Sequence, residues 1–174
     1  MRATIDLPEP KAIKFLFTDT RLAWVWLLLR LYLGYEWVMA GWGKFTDENG
    51  VWIGAKAGVA ITGFLNGALQ KTSGAHPDVS GWYAWFVQNV ALPHPVIFSY
   101  LIVYGEIAVG LGLIVGLFTA LAAFFGMVMN FNFLFAGTVS VNPIMLIMGI
   151  LIVLAWRTSG YLGLDYFRTE RRLR

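Results

Sequence analysis

The sequence predicts an all-α integral membrane protein, a four-helix bundle with a short helical cap in the long outer connection between helices 1 and 2. Hydrophobic residues make up 58% of the 174-residue chain and charged residues only 13%, whereas soluble domains average about 25% charged residues. The mean hydropathy is +0.65. Because so few polar residues cannot cover a water-facing surface, this composition excludes a small soluble enzyme. The chain has no cysteine, so it supplies no disulfide, thiolate metal site or iron–sulfur cluster.

Four apolar runs predict the four membrane helices. The first run, 22–42, has 21 residues, which at ~1.5 Å per residue matches the ~30 Å hydrocarbon core of a bilayer. The second and third runs, 96–118 and 119–136, follow each other directly and predict a tight helical hairpin. The fourth run, 143–156, is short and begins with proline, which suits the first turn of a helix. Four helices that pack on each other are expected, because a helix satisfies its own backbone groups in lipid.

The distribution of lysine and arginine predicts the orientation of the chain. The N-terminal segment 1–21 carries four such residues and the tail 157–174 carries five. Because cytoplasmic flanks are rich in Lys and Arg, we expect both segments in the cytoplasm and the membrane domain 22–156 between them. The basic tail is either a topology signal or a contact with anionic lipid. Residues 11–17 form either a helix on the membrane surface or a polar lead-in.

The outer connection, 43–95, is expected to fold as a cap on the outer membrane interface. Its three lysines are offset by three acidic residues, as expected of an outward-facing segment. Apolar residues recur at helical spacing through 54–70, and Trp82, Trp85 and Phe86 have the same spacing. The pattern therefore predicts two short helices.

Five polar residues lie inside the apolar runs, where a buried ionisable group costs at least ~2.5–3.5 kcal/mol. At ~1.5 Å per residue, all five lie about 12–21 Å from the cytoplasmic helix ends: Arg30, Glu36, Glu106, Asn130 and Asn132. This common depth predicts one polar cluster, with Arg30 paired to Glu106, Glu36 or both. Two glutamates facing one arginine leave a surplus carboxyl, which is expected to hold a proton at neutral pH. The cluster either passes protons to a quinone or substrate, or only fixes helix register.

Several segments resemble the DoxX/DoxD family of small four-helix membrane proteins. They are RLYLGYEWVMAGWGK (30–44), GEIAVGLGLIVGL (105–117), MNFNFLFAGTVSVNP (129–143) and GYLGLD (160–165), while GWYAWFVQNVAL (81–92) resembles the insertion of DoxD-type members. The resemblance implies a multi-pass subunit of a quinone-linked oxidoreductase in a prokaryotic plasma membrane. DoxD is the small membrane subunit of a thiosulfate:quinone oxidoreductase and works with a DoxA-type subunit.

The resemblance also marks candidate site residues. Its first signature contains Arg30, Glu36, Trp37 and Lys44, the second contains Glu106, the third contains Asn130 and Asn132, and the last contains Asp165. We expect Glu106, Glu36 and Arg30 to be catalytic, and Arg30, Trp37, Tyr104, Asn130 and Asn132 to bind the quinone. Lys44 is the candidate for binding a dianion such as thiosulfate, which needs a positive charge. No metal site is predicted.

Two other functions remain open at this level. One is a non-catalytic accessory or scaffold subunit of a larger membrane complex, docked through the cap and the tail. The other is a small transporter that uses the same buried carboxyls. The expected partners are the lipid bilayer and a membrane or periplasmic-side subunit, with homo-oligomers also open. Nucleic-acid binding is excluded because the basic residues flank membrane spans instead of forming a groove-facing patch.

Overall fold

The computed structural model describes residues 10–173, with side chains to residue 168, and these residues form helices and turns without a strand. Residues 1–9 of the predicted N-terminal segment and Arg174 of the predicted tail lie outside the described residues. The α-helices are α1 (Lys11–Thr18), α2 (Ala23–Phe45), α3 (Val59–Gln70), α4 (Gly81–Phe86), α5 (Pro95–Val115), α6 (Thr119–Phe135), α7 (Asn142–Leu154) and α8 (Leu164–Leu173). A 3₁₀ turn, Thr20–Leu22, precedes α2, and a π-helical turn, Val87–Ala91, continues α4. The all-α prediction is confirmed.

Helices α2, α5, α6 and α7 correspond to the four predicted apolar runs and pack in a ring. Helix α2 packs against α5, α5 against α6, α6 against α7, and α7 against α2. Their shared core contains Leu33, Trp37, Val109, Leu113, Ala123, Met145, Met148 and Ile152. The predicted tight hairpin between α5 and α6 is also present, because only three residues separate the two helices.

Membrane-crossing capacity differs among these helices. In the part of the chain that the structure describes, α5 is the one helix that is long and apolar enough to cross a membrane by length and composition. Helices α6 and α7 are apolar but shorter. Helix α2 has 23 residues and includes Arg30, Glu36 and Lys44.

Glycines bring α2 and α5 into close contact. A Cβ atom on Gly110 would lie 2.6 Å from the backbone nitrogen of Val38 and 2.7 Å from the carbonyl oxygen of Gly34. Such an approach of two backbones is what small residues permit between membrane helices. Gly112 faces α6 instead, and Gly116 ends α5 with a φ of 68°. The glycines of α5 therefore serve two helix contacts and a helix end.

The outer connection forms the predicted cap over one side of α5 and α6. Helix α3 packs against α5 and against the π-helical turn. The two cap helices enclose a second core of Ile61, Leu65, Ala68, Val79, Tyr83, Val87, Ala91 and Ala136. Helix α3 begins at residue 59 and not at 54, because Gly54 and Gly58 adopt left-handed φ angles of 89° and 95° that end the preceding turns.

Both ends of the chain contribute helices outside the bundle. Residues 11–17 lie in α1, which favours the surface-helix interpretation of that segment. The tail also contains a helix, α8, which the sequence pattern did not predict. Its composition is strongly polar, so it lacks the apolar run on which the other helix assignments rested.

Candidate functional site

The predicted polar residues lie in separate groups instead of one cluster. Arg30 lies where α5 ends, whereas Glu106 pairs with Lys44, close to the opposite end of α2. The fourteen-residue step from Arg30 to Lys44 corresponds to about 21 Å along the helix. The predicted pairing of Arg30 with Glu106 or Glu36 is therefore wrong. The pairing was predicted from the similar depth of these residues along their helices. In the structure each side chain contacts a different partner, which depth along a helix cannot identify.

Arg30 caps the C-terminus of α5. It is 1% exposed, and its Nη1 donates hydrogen bonds to the carbonyl oxygens of Leu113 at 2.7 Å and Ile114 at 3.1 Å. Its Nη2 donates to the carbonyl oxygen of Leu162, in the segment after α7. The last carbonyls of a helix lack intrahelical partners and carry the negative end of its dipole, so a buried guanidinium is a suitable cap.

Asp165 caps the N-terminus of α6, as Arg30 caps the C-terminus of α5. Its carboxylate accepts hydrogen bonds from the backbone N–H groups of Phe118 at 2.9 Å and Thr119 at 2.8 Å. Its own N–H donates to the carbonyl oxygen of Gly116 at 2.8 Å. The segment 160–165 and Arg30 therefore both bind the turn between α5 and α6. We call Arg30 and Asp165 the inner group.

Lys44 and Glu106 form a buried ion pair, which we call the outer pair. The Lys44 Nζ lies 2.7 Å and 2.9 Å from the two carboxylate oxygens of Glu106 and donates to the carbonyl oxygen of Ala40 at 3.2 Å. The Glu106 side chain is 2% exposed and that of Lys44 is 21% exposed. Gly41 makes room for the pair, since a Cβ there would lie 3.0 Å from the Cβ of Glu106. Lys44 therefore connects a buried carboxylate with the protein surface.

Three other predicted residues lie apart from the outer pair. Glu36 is half-buried and interacts with Tyr32, one turn earlier on α2. Tyr104 is 50% exposed and stacks on Tyr100 with ring centroids 5.9 Å apart. Trp37 is fully buried in the bundle core. Among the described contacts, no hydrogen bond or ion pair joins these residues to the outer pair.

The two predicted asparagines of α6 have different surroundings. Asn130 is 1% exposed, and its Oδ1 has no hydrogen-bond partner among the described residues. Asn132 donates from Nδ2 to the carbonyl oxygen of Val128 at 2.8 Å, and its own carbonyl accepts from the Tyr83 hydroxyl at 2.9 Å. Asn132 thus joins α6 to the cap, whereas Asn130 is a buried acceptor without a donor.

A cavity of about 260 Å³ lies between the cap and the α5–α6 hairpin. We call it the cap pocket. Its walls are apolar and include Phe64, Phe86, Phe98, Ile102, Met129 and Phe133. Tyr83 and Asn132 are the polar lining residues, and Leu101, which is 60% exposed, connects the pocket with the outer face of α5.

The cap pocket and the outer pair contact α5 one helical turn apart. Ile102 lines the pocket and precedes Glu106 by one helical turn. Met129 also lines the pocket, and a Cβ on Gly105 would lie 3.3 Å from its sulfur. About one turn of α5 therefore separates an apolar pocket from a buried carboxylate.

Tyr83 is a site residue that the sequence reasoning missed. Burial raises its pKa to about 12, so it stays a neutral hydrogen-bonding group in any physiological condition. The signal was present in the sequence, because Tyr83 lies within the aromatic spacing of Trp82, Trp85 and Phe86. That spacing indicated a helix but not the side of it that is buried: Trp82 and Trp85 are about 60% exposed, whereas Tyr83 is 4% exposed.

Among the described side chains, residues 10–168, no group of three or more histidine, cysteine, aspartate or glutamate residues is placed to hold a metal ion. Comparison with known proteins identifies one family: the sequence model of DoxX matches residues 25–138, from the first turn of α2 to just beyond α6. No curated protein and no solved structure matches the chain.

Proposed function

Because the chain belongs to the DoxX family, whose members are membrane-associated, we propose that it is the multi-pass membrane subunit of a quinone-linked oxidoreductase. The observation that carries the proposal is the position of the cap pocket, one turn of α5 away from the outer pair. An apolar pocket open to lipid is where a lipid-soluble quinone would bind. A buried carboxylate beside it is the group that would exchange its protons.

In this proposal α2, α5, α6 and α7 all cross the membrane, and both termini are cytoplasmic. Large apolar side chains on the outer faces of these helices support the crossing, among them Trp24, Leu28, Ile97, Leu121 and Ile147, which are 52–58% exposed. An apolar surface of this extent around a bundle is typical of contact with lipid. The orientation is supported by the basic residues of α1 and of the segment after α7, which lie at the same end of the bundle.

The cap pocket fits the head of a quinone in size and chemistry. Its volume of about 260 Å³ is close to the lower end of the roughly 300–1,000 Å³ of small-molecule sites, which suits one ring with its tail leaving past Leu101. A quinone ring offers two carbonyl acceptors, and the pocket offers the second N–H of the Asn132 side-chain amide as a donor, since the Tyr83 hydroxyl already donates to the Asn132 backbone carbonyl. A bound quinone supplies the capacity to accept two electrons and two protons.

The residues of the chain have distinct parts in this proposal. Asn132, whose backbone carbonyl is held by the Tyr83 hydroxyl, orients the ring, and the aromatic walls of the pocket exclude water. Glu106 holds or releases a proton at its carboxylate, and Lys44 connects that carboxylate with the outer surface. The guanidinium of Arg30 donates hydrogen bonds to three carbonyl oxygens. In this proposal Arg30 therefore holds the α5–α6 turn and does not have the catalytic role that the sequence predicted.

Lys44 also remains the proposed contact for an anionic donor such as thiosulfate. Its charge is neutralised by Glu106 at 2.7 Å, so an anion and the ionised carboxylate compete for the same ammonium group. Binding of the anion at Lys44 therefore favours protonation of Glu106. This competition would couple the arrival of the donor with the uptake of a proton.

The test is quinone binding by the full chain in nanodiscs, with extracted quinone quantified by chromatography. Wild type is expected to retain about one quinone per chain. Ile102→Trp fills the cap pocket and is expected to lower that amount at least about tenfold, a loss of about 1.4 kcal/mol. The matched control is Leu111→Trp, because Leu111 lies on the same helix and is 50% exposed on its outer face. Equal retention by both variants would reject the pocket, and no retention by wild type would reject the quinone function.

The accessory-subunit alternative is supported by a different observation. The cap presents Trp82 and Trp85 on its surface, 60% and 62% exposed, and exposed aromatic residues are enriched at protein interfaces. Because the sequence has no cysteine and so no cluster of its own, electrons must in any case reach a quinone through a partner. Purification with a large complex and no quinone would favour the accessory function.

A further inference from the structure

Helix α1 and the turn that joins it to α2 form a cleft of about 490 Å³. Lys11, Lys14 and Arg21 are its basic lining residues, and all three are exposed. Thr20 adds a hydroxyl group to the same cleft, whereas the Thr18 hydroxyl donates to the carbonyl oxygen of Lys14. Two ammonium groups, a guanidinium and a hydroxyl around one concave surface are donors of the kind that bind a phosphate group.

The acidic lining residue, Asp19, cancels the charge of Arg21 only. Arg21 binds its carboxylate through two nitrogens, with Nη2 2.7 Å from Oδ2 and Nε 3.0 Å from Oδ1. Hydrogen bonds from the Arg21 side chain and backbone hold the pKa of Asp19 below its usual value. Among the described residues no ion pair involves Lys11 or Lys14, so the cleft keeps a net positive charge.

Helix α1 is held where α2 begins. The Trp26 indole nitrogen donates to the carbonyl oxygen of Leu16 at 3.2 Å, and Phe17 stacks on the Trp26 ring at 5.6 Å. The Thr158 hydroxyl donates to the carbonyl oxygen of Phe17 at 2.9 Å. With these contacts in place, Phe15 lines the cleft and remains 45% exposed.

We propose that this cleft binds the phosphate headgroup of an anionic phospholipid in the leaflet where α2 enters the membrane. Lys11 and Lys14 contact the phosphate, and Phe15 lies along the first part of the acyl chains. A lipid suits the site better than free phosphate, because a basic face and exposed apolar residues on one helix are the features of helices that lie in the membrane interface. The site rests on the proposed membrane entry of α2 and not on quinone binding.

The test compares retained lipid in the full chain purified from nanodiscs of mixed phosphatidylglycerol and phosphatidylcholine, read by native mass spectrometry. Wild type is expected to retain phosphatidylglycerol over phosphatidylcholine. Lys11→Gln/Lys14→Gln is expected to lower that preference by about fivefold or more, since each basic residue near an anionic surface contributes about a fivefold factor. Lys56→Gln, which removes an exposed lysine of the outer connection, is the matched control and is expected to match wild type.

Each other outcome overturns the proposal. Equal retention of the two lipids by wild type would reject a headgroup site. A double variant that retains phosphatidylglycerol like the control would place the lipid elsewhere. Displacement of the lipid by millimolar inorganic phosphate would show that the cleft takes free phosphate. If the double variant does not fold, Lys14→Gln alone replaces it, and quinone extracted from the same samples reports separately on the proposed function.

Discussion

The inner group and the outer pair both contain buried or half-buried charged side chains, but they bind different kinds of partner. Arg30 and Asp165 bind mainly backbone carbonyls and N–H groups at the two helix ends of the α5–α6 turn, and Asp165 also lies 3.4 Å from the guanidinium of Arg168. Lys44 and Glu106 bind each other, side chain to side chain. Backbone groups do not change their protonation, whereas a carboxylate and an ammonium group do. A charged residue in a helix bundle is therefore best assigned a role from what it binds and not from its position along the helix.

The largest effect is expected from Arg30→Leu. The variant leaves the carbonyl oxygens of Leu113, Ile114 and Leu162 without this donor, and each unsatisfied buried group costs about 1–3 kcal/mol. We expect a loss of about 3 kcal/mol or more in the free energy of unfolding, measured by denaturant titration in mild detergent. Arg157→Gln, at an exposed arginine, is the control. A variant as stable as this control would show that the inner group is not structural.

The second-largest effect is expected from a substitution in the outer pair, and it distinguishes the role of this pair from the structural role of the inner group. Lys44→Met leaves the Glu106 carboxylate buried without its cation, which for a fully buried pair costs about 3–5 kcal/mol. Because Lys44 is 21% exposed, we expect about 2 kcal/mol. The double variant Lys44→Met/Glu106→Gln is expected to regain most of that stability in the same unfolding measurement while losing proton-coupled quinone reduction. A double variant less stable than the single one would mean that the pair is structural, like the inner group.

A smaller effect is expected from Asp165→Asn. The substitution keeps one acceptor oxygen but removes the negative charge at the N-terminus of α6, where caps contribute about 1 kcal/mol. We expect a lower unfolding temperature by a few degrees and an unchanged amount of bound quinone. Glu48→Gln, at an exposed position of the outer connection, is the matched control. If the variant lost bound quinone but kept its stability, Asp165 would be a residue of the quinone site and not a helix cap.

The smallest effect appears only at alkaline pH and concerns Tyr83. An ordinary tyrosine in the unfolded chain ionises near pH 10, whereas burial raises the pKa of Tyr83 to about 12 in the folded protein. The stabilisation from the neutral phenol is therefore fully present below pH 10 and is lost as the pH rises towards 12, by about 1 kcal/mol at pH 11. The stability difference between wild type and Tyr83→Phe should shrink over that interval. A stability difference that does not change with pH would indicate that the Tyr83 phenol is solvated in the folded protein.

The helices were predictable from sequence, and the reason is local. The run 22–42 became Ala23–Phe45, and the run 119–136 became Thr119–Phe135, because continuous apolar composition marks a helix without reference to the rest of the chain. Helix α8 was missed for the same reason, since its polar sequence carries no such mark. The first run also ended at Trp42, two residues before Lys44, so the true partner of Glu106 was left outside the predicted cluster.

The sequence by itself determined the helical class, the four apolar helices, the cap and the list of polar residues that need a partner, because these depend on composition and short-range spacing. The tertiary structure decided which partners meet. Glu106 reaches Lys44 across 62 positions of the chain, and Arg30 reaches Leu162 across 132. Such contacts depend on the rotation of each helix and on where the chain returns after a turn. Depth along a helix leaves both undetermined.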